Sequence, residues 1–183
     1  ISQIKTFKDY PVYSPVEIDK IDTIRVESEV PFQLQHVTIR PLALSHDAEK
    51  TTGYIFETWQ EKLVYITDTG YVKDKYLPLL TGADYIILES NHDIEMLMNG
   101  PYPKWLKQRV LGTLGHLSNK DSSFYLSKLI GENTKEIILM HLSHQNNTEE
   151  KALSTLSDTL DEYEIEKPFV CCAKQNEVTR VCD

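Results

Sequence analysis

The chain has 183 residues, 40% hydrophobic and 9% aromatic, which is typical of one globular domain with a buried core. Its formal net charge of -9 excludes a globally basic surface, so binding to a polyanion would depend on a local basic patch or on bound cations. The 3 cysteines lack the spacing of a disulfide framework or a zinc ribbon, and no apolar run is long enough to span a membrane. We therefore expect a cytoplasmic protein without a membrane segment.

The order of apolar runs and turn residues predicts an α/β fold with a mixed sheet and flanking helices. Residues 1–30 mix prolines with short alternating stretches, which is typical of irregular strands or loops. After them strands follow one another in a meander, and then strands and helices alternate. In chain order we predict strands over 37–44, 53–57, 62–67, 83–88, 137–140 and 169–172, and helices over 72–80, 94–98, 105–111, 119–130 and 148–160.

Two of the predicted helices begin with a capping residue. Ser118 can accept a hydrogen bond from the amide of Asp121, whose carboxylate then lies near the positive helix end. Asn147 stands three places before Glu150, as in a capping box. We therefore predict Ser118 and Asn147 as the N-caps of these two helices.

Polar side chains follow several of the apolar, β-branched runs, at the points where the predicted strands end. His46, Asp68 and His141 each stand at such a junction. Taken singly, His46 can stabilise a turn, Asp68 can form an Asx turn, and His141 can be a hydrogen-bonded core residue. Because strand ends at one edge of a sheet converge, we predict instead that the three meet as ligands of Zn²⁺ or Mn²⁺.

Two further histidines stand at similar junctions. His116 lies between Gly115 and the predicted cap Ser118, where free amides at a helix start would favour an anion such as phosphate. His92 follows a strand in the same way, close to Glu89. The histidines predicted to lie on the surface are His36 and His144.

Five short motifs resemble, in their order along the chain, the later motifs of the metallo-β-lactamase fold. The resemblance is greatest to the YycJ/WalJ branch of that family, and it implies an αββα sandwich. The motifs are Ser-His-Asp-Ala at 45–48, Thr-Asp-Thr-Gly-Tyr at 67–71, Glu-Ser-Asn-His-Asp at 89–93, Gly-His-Leu-Ser-Asn at 115–119 and His-Leu-Ser-x-x-Asn-Asn at 141–147.

The resemblance also implies a dinuclear centre of divalent ions, Zn²⁺ or Mn²⁺, in the intact protein. His46 is similar to the third histidine of the first metal, Asp68 to the bridging carboxylate, and His141 to the last histidine of the second metal. His116 resembles the histidine with which related phosphodiesterases contact the phosphate or protonate the leaving group, so Asp68 and His116 receive the catalytic roles. Residues assigned to substrate contacts or to support of the ligands are Glu89, His92, Ser118 and Asn146.

The family signature His-x-His-x-Asp-His is absent from this sequence. By resemblance, residues 1–183 form a single domain that is the C-terminal two thirds of the full fold. Because only part of the expected ligand set is present, the chain by itself is not expected to hold two ions in a catalytic arrangement. An N-terminal part or a partner chain, as in a homodimer, would complete the sandwich.

The resemblance favours a phosphodiesterase, and more narrowly a 5'-3' exonuclease that acts on DNA. In that mechanism a metal-activated hydroxide attacks phosphorus and His116 protonates the departing oxygen. Two alternatives stay open: a hydrolase of a small carbonyl substrate (lactone, thioester or lactam), and a truncated inactive domain that only binds. The predicted anion pocket at His116 favours phosphate over a neutral ester, and metal analysis would discriminate against the inactive domain.

Overall fold

A seven-stranded mixed sheet forms the centre of the computed structural model, which describes residues 10–19 and 21–179. The strands are β1 (Val12–Ser14), β2 (Thr23–Arg25), β3 (Phe32–Leu34), β4 (Val37–Ala43), β5 (Thr52–Glu57), β6 (Lys62–Ile66), β7 (Tyr85–Glu89), β8 (Glu136–Met140) and β9 (Phe169–Cys172). Strands β3 to β6 pair as an antiparallel meander, and β6 to β9 are parallel neighbours. Strands β1 and β2 form a separate parallel pair.

Helices connect the parallel strands, as the right-handed βαβ arrangement requires. Those helices that have residues in the core pack on one face of the sheet, where Val64, Ile66, Ile86 and Leu88 are fully buried as cross-strand partners. The helices are α1 (Leu77–Leu80), which follows a 3-10 turn at Asp74–Tyr76, α2 (Ile94–Asn99), α3 (Lys104–Leu111), α4 (Asn119–Leu129) and α5 (Glu149–Glu162). Leucines of α4 and α5 join the same buried cluster, so this face holds the core.

The opposite face of the sheet is less covered. Its apolar side chains include Tyr54, Phe56, Tyr65 and Ile87, all of which are only half-buried. Cross-strand registration places Tyr54 beside Tyr65, and Tyr65 beside Ile87, so these side chains form one continuous surface. Within the described residues the sheet therefore has one buried and one half-buried face.

The predicted α/β class with a mixed sheet and flanking helices is confirmed, and most element bounds agree within two residues. The helix predicted over 72–80 begins later. Lys73 has an extended backbone, with φ -66° and ψ 132°. Its Nζ donates to the carbonyl of Ala43 at 2.7 Å, so a contact to β4 accompanies the extended start.

The prediction that Asn147 caps α5 is wrong, because Thr148 is the N-cap and accepts from the amide of Lys151 at 3.2 Å. The side chain of Asn147 is buried and bonds instead to Asn119 and to the carbonyl of Ser90, at 2.8–2.9 Å. A buried amide must satisfy its own donors and acceptor, and that requirement takes precedence over capping. The predicted cap Ser118 is confirmed: its hydroxyl accepts from the amide of Asp121 at 3.1 Å.

The directions of the strands determine where the polar residues at their ends lie. Parallel pairing brings the carboxyl ends of β6, β7 and β8 to one edge of the sheet. Two antiparallel steps separate β4 from β6, so β4 runs in the same direction and ends at that edge as well. The residues that follow or end these strands are His46, Asp68, Glu89 and His141.

None of the helices in the described part of the chain has the length and apolar character needed to cross a lipid bilayer.

Candidate metal centre

Four side chains from separate parts of the chain meet at the carboxyl edge of the sheet. Asp68, Glu89, His116 and His141 each offer one ligand atom, and these atoms lie within 4.8 Å of one another. His116 reaches the group from the loop between α3 and α4, whereas the other three come from the ends of β6, β7 and β8. Imidazole nitrogens and carboxylate oxygens are the donors that Zn²⁺ and Mn²⁺ accept, so the chemistry of the set fits a divalent cation.

Asp68 faces the imidazole rings. Its Oδ1 lies 3.6 Å from Nε2 of His141, 3.9 Å from Nε2 of His46 and 3.9 Å from Nδ1 of His116. The rings of His46 and His116 are 4.9 Å apart between centroids, and those of His116 and His141 are 5.2 Å apart. The carboxylate therefore lies within 3.9 Å of a nitrogen of each of three imidazoles, and the structure brings the side chains of His46, Asp68 and His141 near one another, although His46 is outside the four-residue group.

Glu89 is fully buried and holds two of these rings. Its Oε1 lies 2.6 Å from Nδ1 of His116 and 2.8 Å from Nδ1 of His141, and its Oε2 accepts from the amide of Thr69 at 3.0 Å. Because an ionised carboxylate can only accept, each Nδ1 carries a hydrogen and each Nε2 keeps its lone pair. Glu89 thereby sets the tautomer of both imidazoles, as outer carboxylates do in metal sites.

The same contacts shift two pKa values. Burial by itself raises the pKa of Glu89, but the hydrogen bonds with His116 and His141 outweigh it and hold that pKa below its ordinary value. The hydrogen bond to Glu89 raises the pKa of His141, against the opposing effect of desolvation. Glu89 is therefore an anion in the folded protein. Only in this form can the carboxylate accept hydrogen bonds from both rings and orient them.

His46 is oriented by a backbone group. Its Nδ1 donates to the carbonyl of Gly115 at 3.0 Å, which leaves the lone pair of Nε2 directed to the side of Asp68. Asp47 forms an ion pair with Arg109 of α3, so the His46 loop is tied to that helix. The Arg109 guanidinium holds the pKa of Asp47 below its usual value.

Two residues of the centre have left-handed backbone conformations. Asp68 has φ 56° and His141 has φ 60°, the αL region that non-glycine residues enter rarely. Asp68 lies two residues after the end of β6 and His141 directly follows β8, so the chain turns sharply at the edge of the sheet. Unfavourable dihedrals of this kind concentrate at functional sites, where the surrounding structure maintains them.

The family model described as "Beta-lactamase superfamily domain" matches residues 3–142. The chain belongs to this family. Two relatives in the superfamily are the exodeoxyribonuclease YycJ of Bacillus anthracis, 40% identical over 126 residues, and the exodeoxyribonuclease WalJ of Streptococcus pneumoniae strain D39, 41% identical over 124 residues. The matches cover 69% and 68% of this chain but 48% and 46% of the relatives, so the chain spans about half their length.

Solved structures show the same fold. The metallo-β-lactamase fold protein YhfI from Bacillus subtilis superposes with a TM-score of 0.60 over 94% of this chain and 59% of that chain, at 19% identity. The metallo hydrolase Igni18 from Ignicoccus hospitalis superposes with a TM-score of 0.56 over 86% of this chain and 60% of that chain, at 11% identity. At such identities the likeness supports the fold of the beta-lactamase superfamily domain and nothing finer.

Other predicted site residues of this superfamily domain lie outside the four-residue group. His92 is 1% exposed, and neither ring nitrogen has a hydrogen-bond partner among the described residues. Burial lowers its pKa, so the ring is held neutral. Asn146 is also buried, and its backbone carbonyl accepts a hydrogen bond from the backbone amide of Asp93 at 2.8 Å. His36 and His144 are exposed, as predicted.

The prediction of free backbone amides beside His116 is wrong for two of the amides at the start of α4. The amide of Asn119 donates to the carbonyl of His92 at 2.8 Å, and that of Asp121 donates to Oγ of Ser118 at 3.1 Å. Because these donors are already used, they cannot also bind a phosphate. Ser118 therefore acts as a helix cap in the structure, and the helix start gives no preference between phosphate and ester.

Several residues that hold the loops of the centre in place were not predicted from the sequence. Asn91 donates from Nδ2 to the carbonyl of His141 at 2.9 Å, and the amide of Ser143 donates to the carbonyl of Asn91 at 2.8 Å. Behind them the buried pair Asn119 and Asn147 joins the start of α4 to the loop before α5. The only signal in the sequence is the presence of these asparagines inside the resembling motifs.

Gly115 allows α3 to approach the centre closely. A Cβ at this position would lie 2.1 Å from the carbonyl oxygen of Val110 and 2.3 Å from that of Arg109, both of them backbone atoms. We expect Gly115→Ala to displace the loop that carries His116 and to lower the free energy of unfolding by about 1–3 kcal/mol, as overpacking does. Chemical denaturation measures the loss.

Gly112→Ala is the matched control for this prediction. Its Cβ would lie 3.3 Å from the carbonyl oxygen of Gln108 and 3.4 Å from that of Arg109, which small adjustments can relieve. Its effect should be clearly smaller. Equal losses for the two variants would show that the close approach at Gly115 has no special role.

Proposed function

We propose that the intact protein is a metal-dependent phosphodiesterase, a 5'-3' exonuclease acting on DNA, in which this chain supplies part of a dinuclear centre. The observation that carries the proposal is the placement of Asp68 among three imidazoles, two of them held by the buried carboxylate of Glu89. The names of the relatives YycJ and WalJ, both exodeoxyribonucleases, support the choice of substrate.

Residues of this chain have distinct tasks in the proposed reaction. His46, Asp68 and His141 would hold the cations, Zn²⁺ or Mn²⁺. When bound, such ions lower the pKa of a coordinated water and neutralise charge on phosphoryl oxygens. Glu89 keeps one hydrogen on Nδ1 of His116, so in the protonated ring Nε2 carries the proton that would pass to the departing oxygen, which leaves a neutral imidazole. Asp68 has a second oxygen, which allows its carboxylate to bridge two ions.

The domain assignment belongs to the same proposal. Residues 1–183 are proposed to form a single domain, the C-terminal two thirds of the metallo-β-lactamase fold, with the remaining ligands supplied from outside this chain. The half-buried sheet face with Tyr54, Phe56, Tyr65 and Ile87 supports this, because a further layer packed there would bury it. We also propose a cytoplasmic homodimer, which sedimentation of the intact protein would test.

The activity test compares two bond types in the intact protein. With Mn²⁺ or Zn²⁺ added, we expect bis(4-nitrophenyl) phosphate and 5'-phosphorylated oligodeoxynucleotides to be cleaved, and a γ-lactone to be left intact. Lactone hydrolysis without phosphodiester cleavage would favour the carbonyl alternative. Absence of both activities in a metal-loaded protein would support a domain that only binds.

The role of His116 is tested by substitution. We expect His116→Ala to lower kcat by about 10²–10⁴-fold, the range of general acid-base catalysis, while the metal content of the intact protein is unchanged. His36→Ala is the control, because His36 is exposed and is not part of the centre. Parallel loss of metal and turnover would show that His116 is a ligand rather than a proton donor.

A further inference from the structure

One segment of this acidic chain carries no carboxylate. Residues 96–120 contain no aspartate or glutamate, although the whole chain has a net charge of -9. The segment covers the end of α2, all of α3 and the loop that ends at His116. Its basic residues are Lys104, Lys107, Arg109 and Lys120. Basic side chains are therefore grouped in the chain segment that leads to the candidate centre, and such a group favours binding to a polyanion.

Helix α3 within this segment contributes nothing to the core. None of its residues is buried, and Trp105 is 64% exposed. An indole exposed to this extent can stack on a ligand that binds beside it. The helix is nevertheless held in place, because Arg109 pairs with Asp47 and the amide of His116 donates to the carbonyl of Val110 at 3.0 Å. It is an exposed element fixed to the centre.

A groove of about 910 Å³ runs from His116 and His141 along α3. Tyr102, Leu106, Arg109 and Val110 line one wall, at the spacing of one helix face. Trp105 does not line the groove, but it stands four residues before Arg109 and is therefore its neighbour on the surface of α3, beside that wall. The opposite wall is formed by residues 141–149 and 173–175, which add Lys174 and one carboxylate, Glu149.

The shape and chemistry of the groove select its occupant. It offers an aromatic ring at Tyr102 and amide side chains such as Gln145. It also has a cation on each wall, Arg109 and Lys174, and each of them forms an exposed ion pair, with Asp47 and Glu177 respectively, that a phosphate can replace. Grooves that combine positive charge with aromatic faces bind unpaired strands, because phosphates contact the cations and bases stack on the rings. The groove has the volume of a small-ligand cleft, which suits one strand better than a duplex.

We propose that this groove, with Trp105 beside one wall, binds a single-stranded nucleic acid and leads its end to the candidate centre. The proposal rests on the proposed function for the reaction at that end, but strand binding can be measured without turnover. Tyr102 and Trp105 stack on bases, while Arg109 and Lys174 contact phosphates. Trp105 is thus a binding residue for the strand and takes no part in bond cleavage.

The two tryptophans of the chain provide a matched test. Trp59 is 84% exposed in the turn between β5 and β6, where the neighbouring residues Glu57 and Glu61 are acidic, and it lies outside the groove. In the intact protein with EDTA, Trp105→Ala should weaken binding of a 12-nucleotide oligodeoxythymidine by about 10-fold, as loss of one stacking contact does. Trp59→Ala should leave the affinity unchanged.

Fluorescence gives an independent readout of the same pair. In Trp59→Ala the signal of Trp105 should be quenched by the oligonucleotide, whereas in Trp105→Ala the signal of Trp59 should not respond. Lys174→Gln should reduce the slope of log affinity against log salt by about 0.7, the value for one phosphate of a single strand. Equal affinities of the two tryptophan variants, or tighter binding of a duplex than of the single strand, would overturn the proposal.

Turnover of bis(4-nitrophenyl) phosphate separates this proposal from the proposed function. The small ester does not span the groove, so its hydrolysis reports on the centre alone, and Trp59→Ala, a change outside the groove, should hydrolyse it at the rate of the unsubstituted protein. If the ester is not hydrolysed at all while Trp105 still controls strand binding, the proposed function fails and the groove proposal stands. If the ester is hydrolysed but Trp105 does not affect strand binding, the groove proposal alone fails.

Discussion

Replacing Asp68 with asparagine is expected to remove metal binding at the centre and to leave the fold intact. Asparagine tolerates the left-handed backbone at φ 56° and has the same shape, so the strained turn after β6 keeps a suitable residue. The change removes the anionic oxygen that lies 3.6 Å from His141 and 3.9 Å from His46. Because loss of an outer support already costs 10–100-fold in metal affinity, loss of a ligand should cost the intact protein at least about 100-fold.

Titration of the intact protein with Zn²⁺ or Mn²⁺ measures this change, and thermal unfolding without metal shows whether the fold has been preserved. Asp158→Asn is the matched control, since Asp158 is exposed on α5 and far along the chain from the centre. The unfolding free energy of both variants should stay within about 0.5 kcal/mol of the unsubstituted protein. Unaltered metal affinity in Asp68→Asn would refute the role of Asp68 as a ligand.

Replacing Glu89 with glutamine is expected to lower metal affinity by about 10–100-fold without touching a proposed ligand. The carboxylate accepts from Nδ1 of both His116 and His141 and from the amide of Thr69. A glutamine amide has a single acceptor oxygen, so it cannot accept both from the two rings, as Oε1 does, and from the Thr69 amide, as Oε2 does. When its oxygen accepts from Thr69, its NH₂ group faces the rings, which then carry their hydrogens on Nε2 and have no lone pair there for a cation.

Nitrogen NMR of the imidazoles detects the tautomer directly. In the unsubstituted protein the hydrogen of His141 should be on Nδ1, and in Glu89→Gln the Nε2 form of His116 or His141 should appear. Glu95→Gln is the control, because Glu95 is exposed on α2. Retention of both tautomers together with full metal affinity would mean that Glu89 does not orient the rings.

The sequence was sufficient for the fold class and for the polar residues that stand at the ends of the strands. Apolar runs with turn residues at their ends predict the strands that precede His46, Asp68 and His141, because burial on a sheet demands β-branched and aliphatic side chains. Once those strands run in the same direction, their polar ends must meet at one edge. Helix α4 was also predictable from Ser118, because capping is a local interaction between residues close in the chain.

Interactions between residues distant in the chain were not predictable in the same way. Glu89 accepts hydrogens from two imidazoles only because the β7–β8 register and the position of the loop with His116 bring both rings to it. No local sequence pattern encodes the distances between these three residues. Asn147 illustrates the same limit: its position favours a helix cap, but its contact with Asn119 decides its role. Occupied amides at the start of α4 similarly removed the predicted anion pocket.

By itself the sequence determined which side chains stand at strand ends, because apolar and polar residue types show where a buried strand stops. Tertiary structure alone decided which nitrogen of each histidine carries the hydrogen, since that depends on the acceptor beside it: Glu89 for His116 and His141, and the carbonyl of Gly115 for His46. Hydrogen bonds are directional and short, so their partners are selected only when the sheet and its loops are assembled.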